Sequence, residues 1–321
     1  MNKVYMQLDK TIQNQSTSTI ICSVCIATYR RPNLLKKLLI SLEQQLLPES
    51  VEMEVIVVDN DANKSAEVVV QRVQKLSRVQ YYYYNQPVRS ISLTRNMGVE
   101  NSLGEYILFI DDDEIASTEW LSHLLGTIKT FKVDGVFGRV IGDFNPETPK
   151  WMKKGDFFFI PVKTTGEKAT HKYTTNCIIK ASLLRGLKEP FKPNYGLTGG
   201  EDVELFDRLE RQGARFIYSY EGFTSEYVPP SRSCLSFLAS RRIRFGVGRA
   251  LKRIEEFEGK KNMIRIFIFF KALCYGLGSL VFVLLCFPNK VNRMRWFLRV
   301  ILNYGRLKAA LGLAHNYEWY R

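Results

Sequence analysis

Two glycine-rich phosphate-binding motifs are missing after the first strand-like run of this 321-residue chain, residues 20–27. Neither G-x-x-x-x-G-K-S/T nor G-x-G-x-x-G follows it. Loops of these kinds hold phosphates at a helix start in nucleotide hydrolases and in dinucleotide-binding enzymes. Their absence argues against nucleotide hydrolysis and against NAD binding.

Cysteine and histidine are scarce. The six cysteines are scattered and four of them lie in apolar runs, which suits reduced, buried thiols in a cytoplasmic protein better than a disulfide framework. Cys22 and Cys25 have redox-motif spacing, but a strand places them on opposite faces, so packing is the predicted role. His123 and His171 have no ligand-like companions and are expected to be surface or hydrogen-bonded polar residues.

Residues 1–19 lack the apolar core of a signal peptide and predict a loosely ordered tail. The whole chain is long enough to bury a sizeable core, too long for one minimal domain and short for three. We therefore expect one catalytic domain with an appendage.

Apolar strands and amphipathic helices alternate over the first third of the chain. Strands are predicted at 20–27, 51–58, 79–84 and 106–110, and helices at about 33–46, 66–76 and 91–102. Such alternation predicts an α/β fold with a mainly parallel, doubly wound sheet, helices on both faces, and a binding crevice over the carboxyl ends of the strands.

The strand at 106–110 ends in four consecutive acids, Asp111 to Glu114. Like charges this close repel one another unless a cation or a solvated loop relieves them. One interpretation is a site for Mg²⁺ or Mn²⁺ bridging a diphosphate. The other is an acidic helix start, in which Glu114 and Glu119 favour the dipole of a helix from about residue 117. These residues alone leave both open.

Polar residues follow three of the predicted strands, at 28–31, 59–61 and 111–114. The fold would bring them to one edge of the sheet although they are far apart in sequence. Together they offer an aromatic ring and a hydroxyl for a base and ribose, an acid for an imide N–H, and acids for a metal on a pyrophosphate.

Five motifs in order resemble the family 2 inverting glycosyltransferases of GT-A fold. They are Cys25-Ile-Ala-Thr-Tyr-Arg-Arg-Pro, Val57-Val-Asp-Asn, Ser92-Leu-Thr-Arg-Asn-Met-Gly, Phe109-Ile-Asp-Asp-Asp-Glu and Gly199-Gly-Glu-Asp-Val-Glu-Leu. Each is weak alone, but their order and spacing over about 25–205 are specific, and Glu226-Tyr-Val-Pro-Pro-Ser-Arg and Arg241-Arg-Ile-Arg-Phe-Gly extend the likeness. Within the family the chain is most similar to bacterial exopolysaccharide glucosyltransferases of the succinoglycan type.

The resemblance implies a nucleoside-diphosphate-sugar donor, usually UDP-linked, a divalent cation, Mg²⁺ or Mn²⁺, and inversion by single displacement. Carried over by motif, the residues that would bind the nucleotide-sugar are Thr28, Tyr29, Arg30, Asp59, Arg95, Asp111 and Asp112. Asp111 and Asp113 form the D-x-D pair, with Asp113 as the firmest metal ligand.

The motif Gly199-Gly200-Glu201-Asp202 is the second predicted site. Its glycines allow a ligand to approach the backbone, and its acids open an amphipathic helix, where they also favour the helix dipole. Inverting transfer needs a carboxylate to take the acceptor proton. In the family the Asp of this pair is the usual base, so we assign Asp202 as the base and Glu201 as a neighbour that binds acceptor.

Further acceptor or diphosphate contacts are predicted with less support from pattern: Trp151, Asn176, Glu226, Arg241 and Arg242. Trp151 offers a ring to a sugar face, and Asn176, on a strand predicted at 175–179, an amide to a sugar hydroxyl. Glu226 stands where many relatives have a histidine that contacts metal or phosphate, which leaves the third metal ligand open.

The basic excess belongs to the end of the chain. Residues 229–321 contain 18 basic and 4 acidic residues, an excess that equals the net charge of +14 for the whole chain. The run 266–287 is nearly all apolar apart from Lys271 and predicts membrane contact, either spanning or in the plane of the interface, rather than a buried helix of the soluble domain. Basic residues beside an apolar run favour anionic lipid of the cytoplasmic leaflet over nucleic acid.

The sequence therefore predicts a metal-dependent hexosyltransferase on the cytoplasmic face of the bacterial inner membrane. It would extend a lipid-linked oligosaccharide for exopolysaccharide, capsule or O-antigen. The predicted bounds are 20–233 for the catalytic domain, with a donor half at 20–115 and an acceptor half at 116–233, and 234–321 for a basic helical region. A non-catalytic membrane-bound protein that binds nucleotide-sugar or glycan is the alternative.

Overall fold

A computed structural model describes residues 19–313 with the exception of 156 and 198. The predicted tail at 1–19 thus lies outside the described residues except for Thr19.

Strands and helices alternate as the sequence predicts. The strands of the described chain are β1 Ile20–Thr28, β2 Val51–Asp59, β3 Gln80–Asn85, β4 Tyr106–Ile110, β5 Glu114–Ala116, β6 Gly135–Phe144, β7 Asn176–Lys180 and β8 Phe216–Val228. Its α-helices are α1 Pro32–Glu43, α2 Glu67–Gln74, α3 Ile91–Glu100, α4 Trp120–Phe131, α5 Lys150–Lys154, α6 Ala181–Arg185, α7 Glu201–Arg211, α8 Leu235–Glu255, α9 Lys261–Leu285 and α10 Lys290–Ala310.

One sheet with the order β3-β2-β1-β4-β7-β6-β8-β5 contains all of these strands. The pairs β2–β3, β1–β2 and β1–β4 are parallel, whereas β4–β7 and β6–β7 are antiparallel. The prediction of parallel strands is confirmed for the first four, and the sheet as a whole is mixed. The strand–helix alternation that predicted parallel pairing stops after β4.

The register of the parallel strands aligns their carboxyl ends. Thr28 at the end of β1 lies opposite Asp59 at the end of β2. Three residues before that end, Cys25 pairs with Phe109 of β4. The polar segments that follow β1, β2 and β4 therefore begin at one edge of the sheet, as the sequence predicts.

The main core packs α1 against β1. Leu35, Leu38 and Leu39 are fully buried with Cys22 of the strand, and each such leucine contributes about 1.5–3 kcal/mol by leaving water. Cys25 lies on the other face of β1, where its thiol contacts the carbonyl of Gly98 at 3.4 Å. The prediction that this cysteine pair packs on opposite faces is confirmed.

The described residues form two compact units. The first comprises residues up to Gly138 together with Thr164–Gly196 and Gly200–Thr224, and the second comprises Arg139–Lys163, Ser225 onwards and the described residues of 197–199. β6 and β8 each contribute residues to both units. The domain bounds at 20–233 and 234–321 stay a prediction.

The last three helices belong to the second unit. α9 is long and apolar enough to cross a membrane by length and composition, and only 17% of its most apolar window is buried. Most of this helix is thus uncovered in the described structure, unlike a core helix of a soluble domain.

Candidate active site

The three aspartates after β4 differ in exposure and in their partners. Asp112 is buried, accepts a hydrogen bond from the Thr28 hydroxyl at 2.7 Å, and accepts another from Arg31 at 3.1 Å. The same Arg31 nitrogen lies 3.1 Å from a carboxylate oxygen of Asp113. Thr28 and Asp112 therefore fix this loop through their hydrogen bond. Their contacts with the nucleotide stay predictions. The part played by Arg31 was not predicted.

Asp111 is the most open of the three aspartates, with a side chain that is 37% exposed. Its pKa is raised to about 6, mainly by desolvation and also by the negative charges of Asp113, Asp112 and Asp202, against the lowering effect of Arg95. A carboxyl with a raised pKa among other acids is an environment that a bound cation stabilises.

Of the two acids expected at a helix start, Glu119 is the N-cap residue of α4, whereas Glu114 is not part of that turn. Glu114 opens β5 and is buried, while α4 begins only at Trp120. Glu114 is therefore too far from α4 to interact with its dipole, since that effect falls off within the first turn. This geometry favours the metal interpretation of the cluster.

Asp111 and Asp113 form a donor set that suits Mg²⁺ or Mn²⁺. Among residues 19–313, apart from the two that are not described, no group of three or more His, Cys, Asp or Glu side chains forms a metal cage. Mg²⁺ is commonly held by one or two carboxylates together with substrate phosphates rather than by an all-protein cage. Two carboxylates at the rim leave positions for diphosphate oxygens, so the residues fit the predicted cation.

Arg95 links the two acidic motifs of the sequence. From α3 its guanidinium forms an ion pair with Glu201 at the start of α7, and its other terminal nitrogen lies 3.5 Å from Asp111. The same guanidinium lies 5.8 Å from the centre of the Phe191 ring. The structure thus brings together the D-x-D and Glu-Asp motifs, which are about 90 residues apart in sequence.

Asp202 lies beside this ion-pair network. Desolvation and the adjacent Glu201 raise its pKa to about 6, against the opposing effects of Arg95 and of hydrogen bonds from backbone N–H groups, among them that of Val203. Gly200, directly before α7, has a φ of 90°, which glycine adopts without steric cost. The tight turn into α7 therefore explains this glycine, and the helix presents a carboxyl whose pKa suits a general base.

Glu201 is buried and has one carboxylate oxygen, Oε2, without a hydrogen-bond partner in the described part of the chain. Its other oxygen pairs with Arg95. A buried acceptor that lacks a partner is costly and is commonly satisfied by water or ligand. This oxygen is available to a hydroxyl of a bound substrate.

Tyr29 and Arg30 form a second group at the same edge. Two guanidiniums lie near the Tyr29 ring, that of Arg30 at 5.0 Å and that of Arg89 at 5.6 Å from its centre. Arg30 has a φ of 55°, a region that costs a side-chain-bearing residue energy, and its Nε lies 3.2 Å from a carboxylate oxygen of Asp61. Strain of this kind is concentrated at functional sites, which supports a binding role for this turn.

Asp59 takes part in the hydrogen bonds of its own loop, and its contact with a base stays a prediction. Its carboxylate is fully buried and accepts hydrogen bonds from the backbone N–H groups of Asp61 and Ala66 at 2.9 and 2.8 Å and from the Tyr83 hydroxyl at 3.2 Å. Asp59 therefore shapes the loop after β2, and Asp61 is the acid that faces Arg30. The only sequence signal for Asp61 was its place in the run after the strand.

Asn176 forms hydrogen bonds within the protein. It is buried on β7, where its amide oxygen accepts a hydrogen bond from the Trp120 indole at 2.8 Å and its amide nitrogen donates to the Gly222 carbonyl at 3.1 Å. A side chain engaged in this way ties α4 to β8. Its contact with a sugar hydroxyl stays a prediction.

The remaining candidates lie in the second unit: Trp151, Glu226, Arg241 and Arg242. The Trp151 ring packs edge-on against Phe157 at 5.4 Å, and Glu226 accepts a hydrogen bond from Arg232 at 2.9 Å. These are contacts within that unit. The roles of the four residues toward acceptor or diphosphate stay predictions.

The sheet is mixed, and a D-x-D pair lies at the edge where the parallel strands end. A carboxyl of raised pKa lies at the start of a neighbouring helix. This combination defines a GT-A nucleotide-sugar transferase. Solved structures share this fold. The mannosyltransferase PcManGT from Pyrobaculum calidifontis, in complex with GDP-Man and Mn²⁺, aligns with a TM-score of 0.62 at 15% identity over 97% of this chain and 94% of its own. TarS 1–349 from S. aureus, in complex with UDP-GlcNAc, aligns with a TM-score of 0.53 at 17% identity over 94% and 93%.

Sequence comparison gives the family. The model of Glycosyl transferase family 2 matches residues 23–187, more than half of the chain. The chain is 34% identical to the succinoglycan biosynthesis protein ExoM of Rhizobium meliloti (strain 1021) over 92% of its own length and 94% of that protein. This chain therefore belongs to glycosyl transferase family 2, and it is a transferase.

A shorter match concerns a protein whose acceptor is named. The GalNAc(5)-diNAcBac-PP-undecaprenol beta-1,3-glucosyltransferase of Campylobacter jejuni is 30% identical over 37% of this chain and 38% of that protein.

Proposed function

We propose that this transferase moves a hexose, with inversion, from a UDP-sugar to a lipid-linked oligosaccharide during assembly of a bacterial cell-surface polysaccharide. The observation that carries the proposal is Arg95, which contacts both Asp111 and Glu201. One guanidinium thus contacts the candidate metal ligand Asp111 and the residue next to the candidate base, which supports a single reaction centre.

The donor is assigned to the edge formed by the loops after β1, β2 and β4. Tyr29 and the two arginines near it offer an aromatic ring and planar cations for contact with a base. Asp111 and Asp113 would hold Mg²⁺ or Mn²⁺, which supplies charge stabilisation to the departing diphosphate when bound. Fold relatives were solved in complex with UDP-GlcNAc and with GDP-Man and Mn²⁺, which supports a nucleotide-sugar donor and a cation for this chain.

The reaction is a single displacement. An acceptor hydroxyl oxygen forms a bond to the anomeric carbon as the bond from that carbon to the diphosphate oxygen breaks, which inverts the configuration. The hydroxyl proton passes to Asp202, and the electron pair of the broken bond stays with the diphosphate. The pKa of Asp202, about 6, is close to cellular pH and suits a general base. The unpartnered Oε2 of Glu201 accepts a hydrogen bond from another acceptor hydroxyl.

The lipid-linked acceptor and the cytoplasmic face of the inner membrane are supported by two observations. α9 presents an uncovered apolar surface in a chain region rich in lysine and arginine. The relative from Campylobacter jejuni acts on an undecaprenol-linked glycan, and the Rhizobium meliloti relative acts in succinoglycan biosynthesis. An enzyme held at the membrane meets such an acceptor at high local concentration.

The test is transfer by the purified full-length protein with Mn²⁺, a panel of UDP- and GDP-hexoses, and undecaprenyl-diphosphate-linked glycans. We expect one donor to add one hexose, seen by mass, with an anomeric configuration opposite to that of the donor by NMR. Retained configuration would overturn the displacement mechanism. Binding of a nucleotide-sugar with no transfer and no UDP release would favour the non-catalytic alternative.

A further inference from the structure

Helix α9 uses only one stripe of its surface for packing. Ile268, Ala272 and Ser279 are its buried residues, at spacings that keep them on one side of the helix. The other sides are apolar and exposed: Ile266, Phe267 and Phe270 are each 59% exposed, and Leu277, Leu284 and Leu285 are 57%, 70% and 68% exposed. An exposed apolar surface of this length marks an interaction site.

The partner of that stripe is α10, which follows after four residues and runs antiparallel to α9. The Phe282 ring stacks on Trp296 at 4.3 Å. Seven residues further along α10, Asn303 faces Gly276, whose added Cβ would lie 3.7 Å from the Asn303 Cβ. Positions decrease along α9 as they increase along α10, so the two helices form a hairpin.

α10 is in turn fixed to α8 by two glycines. A Cβ added to Gly246 of α8 would lie 2.1 Å from the carbonyl oxygen of Leu302, and one added to Gly305 of α10 would lie 2.3 Å from that of Ile243. The two backbones therefore touch, and only glycine fits at either position. α10 is held against α8 and is not free to move away while α9 inserts elsewhere.

The composition of α10 excludes a membrane-spanning hairpin. Its cations are Lys290, Arg293, Arg295, Arg299, Arg306 and Lys308. If α9 crossed a bilayer with α10 beside it, several of these cations would lie in hydrocarbon. Each cation at the centre of a spanning helix disfavours insertion by roughly a hundredfold. A spanning α9 therefore requires the hairpin to open.

Two of these cations lie beside the exposed aromatic side chains of the hairpin. Arg293 lies 4.8 Å from the centre of the Phe287 ring, and Arg299 lies 4.3 Å from that of Trp296, which stacks on Phe282. Arginine next to tryptophan or phenylalanine at the rim of an apolar surface is typical of side chains at the depth of lipid headgroups.

We propose that the α9–α10 hairpin lies in the plane of an anionic membrane surface, with the exposed side of α9 at the acyl boundary and the cations of α10 at lipid phosphates. The proposal rests on the membrane association in the proposed function and specifies its mode. Charge complementarity decides the occupant, because residues 229–321 carry 18 basic and only 4 acidic residues, and anionic lipid supplies the missing negative charge.

The topology of the full-length chain tests the proposal. In a background with Cys234, Cys274 and Cys286 changed to serine, single cysteines are placed in the first turn of α9 as Asn262→Cys and at the start of α10, just beyond the other end of α9, as Lys290→Cys. Both positions are exposed. The remaining cysteines, Cys22, Cys25 and Cys177, are buried, and burial raises the pKa of each thiol, so they should not react.

A membrane-impermeant maleimide is then applied to sealed vesicles of either orientation. An in-plane hairpin predicts that both cysteines are labelled in inside-out vesicles and neither in right-side-out vesicles. Labelling of one end from each side would show a spanning helix and overturn the proposal. Recovery of the protein in the soluble fraction would also overturn it.

A second experiment measures binding to vesicles of defined lipid composition. The double variant Arg293→Gln/Arg299→Gln should bind phosphatidylglycerol-containing vesicles roughly 30-fold more weakly, because each cation near an anionic surface contributes about fivefold. Lys36→Gln/Lys37→Gln removes the same charge from exposed positions on α1 and should bind as the unchanged protein does. Equal losses in both double variants would show a general charge effect and overturn the role of α10.

A second copy of the chain is the competing occupant of α9. A stable dimer in sedimentation without lipid, with no binding to either phosphatidylglycerol or phosphatidylcholine vesicles, would replace the proposal by self-association. UDP release from a UDP-hexose, measured on the same preparation, tests the transferase proposal separately. Active protein without membrane binding and membrane-bound protein without activity are therefore distinguishable.

Discussion

The sheet edge and the C-terminal helices differ in how their charged side chains are neutralised. Residues 1–228 contain equal numbers of basic and acidic residues, 28 of each, whereas residues 229–321 contain 18 and 4. At the sheet edge Arg31 and Arg95 each contact two carboxylates. In the helices Arg293 and Arg299 lie over aromatic rings.

The difference shows which charges are paired within the protein and which are available to pair with a ligand. Partly buried ions that are paired and hydrogen-bonded keep a fixed geometry, as a reaction centre requires. Cations in excess of their acidic neighbours seek phosphates outside the chain. We therefore expect substitutions at the sheet edge to change chemistry and substitutions in α10 to change location.

The largest effect is expected at the base. Asp202→Asn keeps the shape but cannot take the acceptor proton, so kcat should fall by roughly two to four orders of magnitude while donor affinity stays within a few-fold. Calorimetry with the donor and steady-state transfer measure the two quantities. Asp207→Asn, the same change further along α7, is the matched control. Loss of donor binding in Asp202→Asn would assign this residue to the nucleotide site.

A somewhat smaller loss is expected at the metal pair. Asp113→Asn should lower turnover by roughly a hundredfold to a thousandfold, because it weakens both the cation and the stabilisation of the diphosphate. Titration of Mn²⁺ by electron paramagnetic resonance should show weaker binding in the presence of UDP. Glu119→Gln, an exposed acid on the same stretch, should behave as the unchanged protein. Full activity of Asp113→Asn in excess chelator would contradict a metal role.

The pH dependence of transfer should be about tenfold between pH 5 and pH 7. A base with a pKa raised to about 6 is mainly protonated and inactive below that pH and mainly ionised above it, so kcat rises with pH through about 6. The residual activity of Asp202→Asn should lose this rise. A rise of equal size in that variant would assign the titration to another group, such as Asp111.

The smallest effect is expected from salt on the membrane-bound fraction. Salt at about 1 M shortens the screening length to about 3 Å and weakens the attraction of the α10 cations to lipid, but it does not release a buried apolar surface. Most of the protein should stay with membranes after a high-salt or alkaline wash and should be released by detergent. Quantitative release by salt alone would show that α9 is not inserted.

Local patterns predicted the first half of the fold well. The strands and helices up to β4 lie within three residues of their predicted bounds, because each carries its own periodicity and its neighbours supply the turn signals. The grouping of the three polar strand ends followed from topology alone. Arg95 was predicted near the donor from its motif, but its contact with Glu201 could be identified only from the structure.

Side-chain direction was not predictable. Asp59 and Asp61 are two residues apart, yet they have different partners. Asp59 accepts hydrogen bonds from backbone N–H groups of its own loop, whereas Asp61 faces Arg30. The burial of Asn176 depends on β7 pairing antiparallel with β4 and on Trp120 reaching it from α4. Both facts depend on contacts between distant segments, which periodicity and spacing do not encode.

The central claim is that the D-x-D pair and the Glu-Asp pair act on one sugar, and a double-mutant cycle tests it most directly. kcat/KM for transfer is measured for Asp111→Asn, Asp202→Asn and the combined variant. Groups that act as a unit show strong non-additivity, so the combined loss should be much smaller than the product of the two single losses. A combined loss equal to that product would show that the two motifs act independently, and it would contradict the shared reaction centre around Arg95.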